Sequence, residues 1–334
     1  MDGRRQVLSC PSLNYPGVAM QEPFINRPLV VHMQADWGAA NLTRVCGWLG
    51  QELTDRSAPG TRIAIWNGRG FVDNVRALGR REVDLAIATP SAFITMALDG
   101  RGPYAGEAYP ELRAIGSVPQ RDRLVVAIRT SLGISTFDQL RAAKPRLRLT
   151  TSGNDGISHV GLATHELLTR SGVDFLGWGG ELLEHERPYE CLDDVLDGRA
   201  DAIVYEAIML PGWQQMAEDM TFLSVEKDVL ESLQHDFDWP DAIIPAGYFP
   251  GAPEVHTLDF SDFLIIVRAD MPDDVAHALA WILGETRQIL EQQYKHLPPD
   301  HSPVTYPLDP ATMGHTPIPL HPGAATYYSS LGDR

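Results

Sequence analysis

The 334-residue sequence predicts an α/β protein with parallel, doubly wound sheets, and three observations carry that reading. Three strand-then-helix units follow one another between residues 29 and 91. A fourth unit, RLRLTTSGNDGISHVGLATHELLTR at 146–170, repeats the pattern as strand, small-polar loop and amphipathic helix. The composition, 44% hydrophobic and 21% charged, suits ordinary buried cores, and the length suits two domains.

Each element has a local cause. Residues 29–35 (LVVHMQA) form the first strand, bounded by Pro28, and 36–40 (DWGAA) turn into a helix with Leu42, Val45, Cys46, Leu49 and Leu53 at helical spacing. A second strand at 62–66 leads through Asn67-Gly68-Arg69-Gly70 into a helix carrying Val72, Val75 and Leu78. A third, at 83–88, ends in Thr89-Pro90-Ser91. Strands at 113–118 and 124–129 and a helix at 137–143 precede the 146–170 unit. There 147–151 alternates, Ser152-Gly153-Asn154-Asp155-Gly156 breaks the strand, and Ser158 is a helix N-cap. A helix at 190–196 leads to a strand at 202–205 that ends on Glu206. Residues 243–248 read as a return passage and 260–268 as an apolar strand. Pro272 then opens a helix with Asp273 and Asp274 in its first turn and Val275, Leu279, Ile282, Leu283 and Leu290 on one face. Beyond Pro298 the chain is rich in Pro and His without periodicity, so it is expected to wrap the surface.

With 27 basic against 44 acidic residues the net charge is −17, which argues against nucleic acid and anionic membrane surfaces as main partners. Cys10, Cys46 and Cys191 are too widely spaced for a disulfide framework or a zinc motif. His256, His296, His301, His315 and His321 lack the spacing of a zinc site. A Gly-x-Gly-x-x-Gly run, a P-loop and a serine elbow are all missing, so neither a cofactor nor a metal is expected. No stretch reads as a transmembrane span. The N-terminal segment has no apolar run of signal-peptide length, and Val7-Leu8-Ser9-Cys10 is a chance match to a lipoprotein signal. The sequence as it stands therefore reads as cytoplasmic, and as periplasmic if an export signal has been removed.

In an open α/β sheet, ligands bind outside the carboxyl ends of the strands, and the candidate site follows from that rule. Trp37, Asn41, Asn67, Arg69, Thr89 and Ser91 come from the first three units. Ser152, Asn154, Ser158, His159, Tyr205 and Glu206 come from the later ones. The loop before His159 aims backbone N–H groups and a helix dipole at its guest, which favours an anion. Arg69 offers a bidentate fork for a carboxylate. The dipole favours neutral His159, a hydrogen-bond donor or general acid, and Glu206 is an acceptor or base, so the two are the catalytic candidates. Trp37, Trp66 and Tyr205 offer faces for stacking.

Four segments resemble a known family. Arg81-Glu82-Val83-Asp84-Leu85-Ala86-Ile87-Ala88, Val195-Leu196-Asp197-Gly198-Arg199-Ala200-Asp201-Ala202, Ile244-Pro245-Ala246-Gly247-Tyr248-Phe249-Pro250-Gly251 and Pro319-Leu320-His321-Pro322-Gly323-Ala324-Ala325 look like the TAXI family of TRAP-transporter solute-binding proteins. The resemblance covers most of the chain from about Leu29. It implies a type II periplasmic-binding-protein fold: two α/β lobes, joined by two crossover strands, closing on a small carboxylate or similar solute and working with TRAP membrane subunits. Its domain plan is an N-terminal extension at 1–28, lobe one at 29–120 and 246–334, and lobe two at 121–245. Two places depart from the family. Asp36-Trp37-Gly38-Ala39-Ala40-Asn41 stands where a glycine-rich turn is usual, and Ser152-Gly153-Asn154-Asp155-Gly156-Ile157-Ser158-His159 loosens a Gly-Ser-Gly-Thr pattern. Two functions follow. One is binding of a small organic anion, a carboxylate with aromatic ones included, between the lobes. The other is a cytoplasmic, cofactor-independent decarboxylase, lyase or synthase on the same scaffold.

Overall fold

The computed structural model describes residues 21–36 and 41–332. Among them the strands are β1 Val30–Ala35, β2 Arg62–Asn67, β3 Leu85–Ala88, β4 Leu112–Val118, β5 Arg123–Arg129, β6 Arg148–Thr151, β7 Glu181–Glu184, β8 Ala202–Tyr205, β9 Met220–Phe222, β10 Asp241–Ile244, β11 Val255–Asp259 and β12 Phe263–Arg268. They form two sheets. The first has the order β2-β1-β3-β12-β4, with β1 parallel to β2 and β3, and β12 antiparallel to both its neighbours. The second runs β10-β11-β5-β8-β6-β7, with β9 paired to β5. In it β6 is parallel to β7 and β8, and β5 is antiparallel to β8 and β11. The fold is thus α/β, two lobes joined by two crossing segments.

Hydrophobic patterning accounts for these placements. β12 reads FLIIVR because it lies inside the sheet with helices on both faces, and five of its six residues are buried. Helix Asn41–Asp55 buries Leu42, Val45, Cys46, Leu49 and Leu53, the five positions its periodicity selects. Helices Phe137–Ala143 and His159–Arg170 fall where the sequence puts them.

Two expectations are corrected. The chain does not return to the first lobe near Ile244. β10 occupies that stretch and pairs antiparallel with β11, Ile244 opposite Val255. The 245–251 segment is a reversal, with Gly247 and Gly251 at φ +80° and +74°, where a side chain would be strained. The two crossings are therefore residues 119–122 and 260–262, and sheet membership extends the second lobe to Asp259.

The tail, expected to wrap the surface, instead ends in helix Pro322–Leu331 packed on helix Asp273–Glu285. Buried His321 caps it, its Nδ1 accepting from Gly323 N–H at 3.2 Å. A Cβ on Gly323 would stand 2.2 Å from the Asp273 carbonyl oxygen, so only glycine lets the two backbones approach. The Leu-His-Pro-Gly-Ala segment is a packing device. Gly323→Ala is expected to lower stability by about 1–3 kcal/mol through overpacking, as a shift in the denaturation midpoint. An unchanged midpoint would mean that the two helices can separate freely.

Candidate functional site

The ends of β1, β3 and β8 meet the N-terminus of helix His159–Arg170 between the lobes. They enclose a cavity of about 430 Å³ lined by residues of both sheets, among them Asp36, Thr89, Phe263, His159 and Glu206. A smaller hollow of about 190 Å³, lined by Arg69, Ser152, Ser158 and Tyr205, shares Gly70, His159 and Glu206 with it.

Glu206 is presented by a turn that a buried carboxylate holds. Asp122, in the first crossing and fully buried, accepts from Ala207 N–H at 2.9 Å, Ile208 N–H at 3.1 Å and Arg123 N–H at 2.7 Å. Ala207 sits at φ +65°, a conformation alanine seldom adopts, and these bonds secure it. The reversal at 245–251 supports the turn from behind. Tyr248 Oη donates to the Ile208 carbonyl at 3.3 Å, and Phe249 stacks on Phe222 with ring centres 4.1 Å apart. Burial pushes both carboxyl groups up. A hydrogen bond from Glu206 and the backbone N–H groups favour the charge on Asp122, and burial, that charge and the same hydrogen bond hold Glu206 well above the usual carboxylate range. Glu206 therefore carries a proton at neutral pH.

His159 stands in an aromatic cage. Phe71 and Phe260 lie with ring centres 5.8 and 5.7 Å from it, and Phe93 meets it edge-on at 6.4 Å. One edge of the imidazole is open to the cavity. Burial among these rings pushes its pKa down to about 3, so it is neutral. A neutral ring can donate or accept one hydrogen bond, but it does not supply an imidazolium acid.

The loop before the helix supplies part of its own anion. Asp155 Oδ1 accepts from the N–H groups of Ile157 and Ser158, both at 2.9 Å. Ser158 caps the helix by accepting from Gly161 N–H at 3.1 Å, and its hydroxyl meets that of Ser152 at 2.7 Å. These bonds occupy much of the donor set that the sequence assigns to a guest.

Arg69 is also engaged. Its guanidinium pairs with Glu186 and, at 3.4 Å, with Asp155, both on the second lobe, so it bridges the closed cleft instead of standing free for a ligand carboxylate. Arg76 reaches the same loop through the Gly156 carbonyl at 3.4 Å, and Arg101 pairs with Asp238 at 2.5 Å. All three arginines cross from the first lobe to the second.

Of the other expected residues, Thr89 and Asn41 line the main cavity, and Asn41 accepts from Tyr294 Oη at 2.9 Å. Tyr205 is buried and donates to the Glu186 carbonyl at 3.1 Å, so it closes the wall of the smaller hollow. Asn67 and Trp66 end the edge strand β2 and are exposed, away from both hollows. Asn154 faces a separate surface hollow behind the loop. Ser91 donates its N–H to the Ser261 carbonyl at 3.0 Å and lines neither part of the cleft. Trp37 lies outside the described residues.

Sequence reasoning missed Asp36, Arg44, Asp122, Arg187 and Tyr294. Asp36 had a usable signal, since it follows the last residue of β1. It is 5% exposed, its Oδ1 is buried without a hydrogen-bond partner among the described residues, and burial raises its pKa to about 6. Arg44 and Arg187 are exposed at the cavity and, among the described residues, neither forms an ion pair with a carboxylate. Arg44 lies over the Tyr294 ring at 5.9 Å.

Two α/β lobes, two crossings and a cavity at the strand ends between them define the type II periplasmic-binding-protein scaffold. A family model extends this to sequence. The chain belongs to the NMT1-like family, whose model matches residues 47–332. The TAXI resemblance is a finer statement, which this match does not make. No curated protein sequence matches the chain. Among solved structures, a TctC solute-binding protein from Polaromonas is 13% identical, covering 92% of this chain and 99% of that one, with a TM-score of 0.48. A Xanthomonas citri protein bound to ATP is 12% identical, with 92% and 98% covered and a TM-score of 0.49. An R. palustris protein with adipate is 15% identical, with 92% and 95% covered and a TM-score of 0.46.

Proposed function

We propose that this protein binds a small organic anion in the interlobe cavity, as a solute-binding protein. The observation that carries the reading is the pair Arg44 and Arg187, one from each lobe, facing one cavity without carboxylate partners among the described residues. A guanidinium without a carboxylate partner at a cavity wall is suited to a carboxylate or similar anion, which it can hold by two parallel bonds. Because the two come from different lobes, the anion would favour the closed form over the open one. Titration calorimetry with aliphatic and aromatic carboxylates tests this. Arg44→Ala and Arg187→Ala are each expected to weaken the best binder about tenfold, the scale of one charge-assisted hydrogen bond. Full affinity in both variants would end the reading.

The TAXI resemblance extends the proposal to a periplasmic protein that delivers its solute to TRAP membrane subunits. Purification of the chain with membranes carrying such subunits, with and without solute, tests that step. The enzyme reading keeps one specific support: Glu206, protonated, and His159, neutral, line the same cavity and form an acid and a base. Mass spectrometry of carboxylates after long incubation separates the two. An unchanged solute favours binding, and a product lost in His159→Ala and Glu206→Gln favours catalysis.

A further inference from the structure

We infer that the ligand carries, besides the anionic group that meets Arg44 and Arg187, a basic nitrogen that meets Asp36 and Glu206 in the same cavity. This deepens the proposed anion site and rests on it.

Asp36 follows β1, an inner strand of the first sheet, and Glu206 follows β8 of the second. Both line the 430 Å³ cavity, and the charge of Asp36 reaches Glu206. Asp36 is buried to 5% exposure, yet among the described residues its Oδ1 has no hydrogen-bond partner. A buried carboxylate oxygen without a donor is costly, and a ligand N–H supplies the missing bond. Glu206 faces the same space from the other lobe, so one nitrogen would tie the two sheets together as the cleft closes.

The remaining walls give the shape of the guest. Leu42, Phe71, Ile87, Met209 and Phe263 line the cavity together with the carboxyl groups and the exposed arginines. The compound therefore combines an apolar body with a nitrogen and an anionic group. An anion without nitrogen would leave Asp36 unpaired and bind less well.

The pH dependence differs between these two kinds of ligand. The titratable and charged groups that line the cavity with Asp36 are Arg44, His159, Arg187, Tyr189, Glu206, Tyr294 and His296, and Cys46 on helix Asn41–Asp55 lies within reach of its charge. His159 is neutral, and burial keeps the Cys46 thiol protonated. Asp36, raised to about 6, is the group that changes charge near neutrality. An ammonium group prefers it ionised, so affinity for an amino-bearing ligand rises as pH climbs through 6. A plain carboxylate gains nothing from that ionisation.

Matched pairs make the test: para-aminomethylbenzoate against para-methylbenzoate, and ε-aminocaproate against caproate, titrated by calorimetry at neutral and mildly acidic pH. The amino member of at least one pair is expected to bind about tenfold tighter or better at neutral pH, and to lose that advantage in Asp36→Asn. Arg44→Ala should weaken both members alike. If Asp36→Asn does not fold, Asp36→Ser takes its place, with the same loss of discrimination expected. Equal binding within both pairs, or an advantage that survives substitution, overturns the inference and leaves the anion site standing. Failure of all four compounds to bind overturns both.

Discussion

Replacing Asp122 with alanine is expected to lower stability by about 3–4 kcal/mol and to abolish ligand binding. Its carboxylate accepts from three backbone N–H groups inside the protein, and removal leaves those donors without partners. Each buried donor so orphaned costs about 1–3 kcal/mol, the hydrogen bond that protonated Glu206 gives Asp122 is lost as well, and removal of a buried, desolvated carboxylate offsets part of the sum. Binding is lost for a separate reason. Without Asp122, Ala207 has no tether for its left-handed backbone, and relaxation of the turn swings Glu206 out of the cavity. Urea denaturation measures the first effect and calorimetry the second. Glu206→Gln is the control. Because Glu206 is protonated at neutral pH, an amide replaces it with little change of charge, and stability should move by less than about 1 kcal/mol. An Asp122→Ala protein as stable as the wild type would mean that Tyr248 and the aromatic stack hold the turn unaided.

Much of the scaffold was legible because its signals are local. Helix periodicity from Leu42 to Leu53, the Ser158 cap and the apolar run at 263–268 each depend on residues close in sequence. β7 and β10 were harder, because ELLE and DAII are short edge strands without clean alternation. The return crossing was misplaced for a related reason. A glycine-bearing reversal and a lobe crossing both look like a broken strand, and only pairing with β11 distinguishes them.

The site was legible by position and illegible by partner. Thr89, His159 and Glu206 reach the cavity because strand ends converge, a rule that needs no tertiary knowledge. Which arginine is free does not follow from such a rule. Arg69 has the right place and chemistry, but Glu186, 117 residues away, takes its guanidinium. Arg44 sits within a helix and Arg187 just before one, and nothing in their neighbours says that they face a cavity. The role of Asp122 was hidden in the same way, since its partners Ala207 and Ile208 lie 85 and 86 residues downstream.

Acid should destabilise the wild type through His159 before it reaches the ordinary carboxylate range. The unfolded imidazole takes up its proton near pH 6.5, whereas the caged ring resists until about 3. Between those values the unfolded state binds more protons than the folded one. The contribution of the neutral ring is therefore complete above about pH 6.5, falls as pH drops, and is gone near 3. At about 1.4 kcal/mol for each pH unit, it amounts to roughly 3 kcal/mol by about pH 4. Asp36 and Glu206 act in the opposite direction, because their raised folded pKa values favour the folded state on acidification. Their effect is common to wild type and His159→Gln, so the difference between the two denaturation curves isolates the histidine. That difference should be flat above about pH 6.5 and should move in favour of the glutamine variant by roughly 3 kcal/mol at about pH 4. A difference that stays flat to pH 4 would mean that the ring is hydrated and protonated in the folded protein. The cage of Phe71, Phe93 and Phe260 would then be open, and His159 would return to the cleft as a cation for the ligand anion.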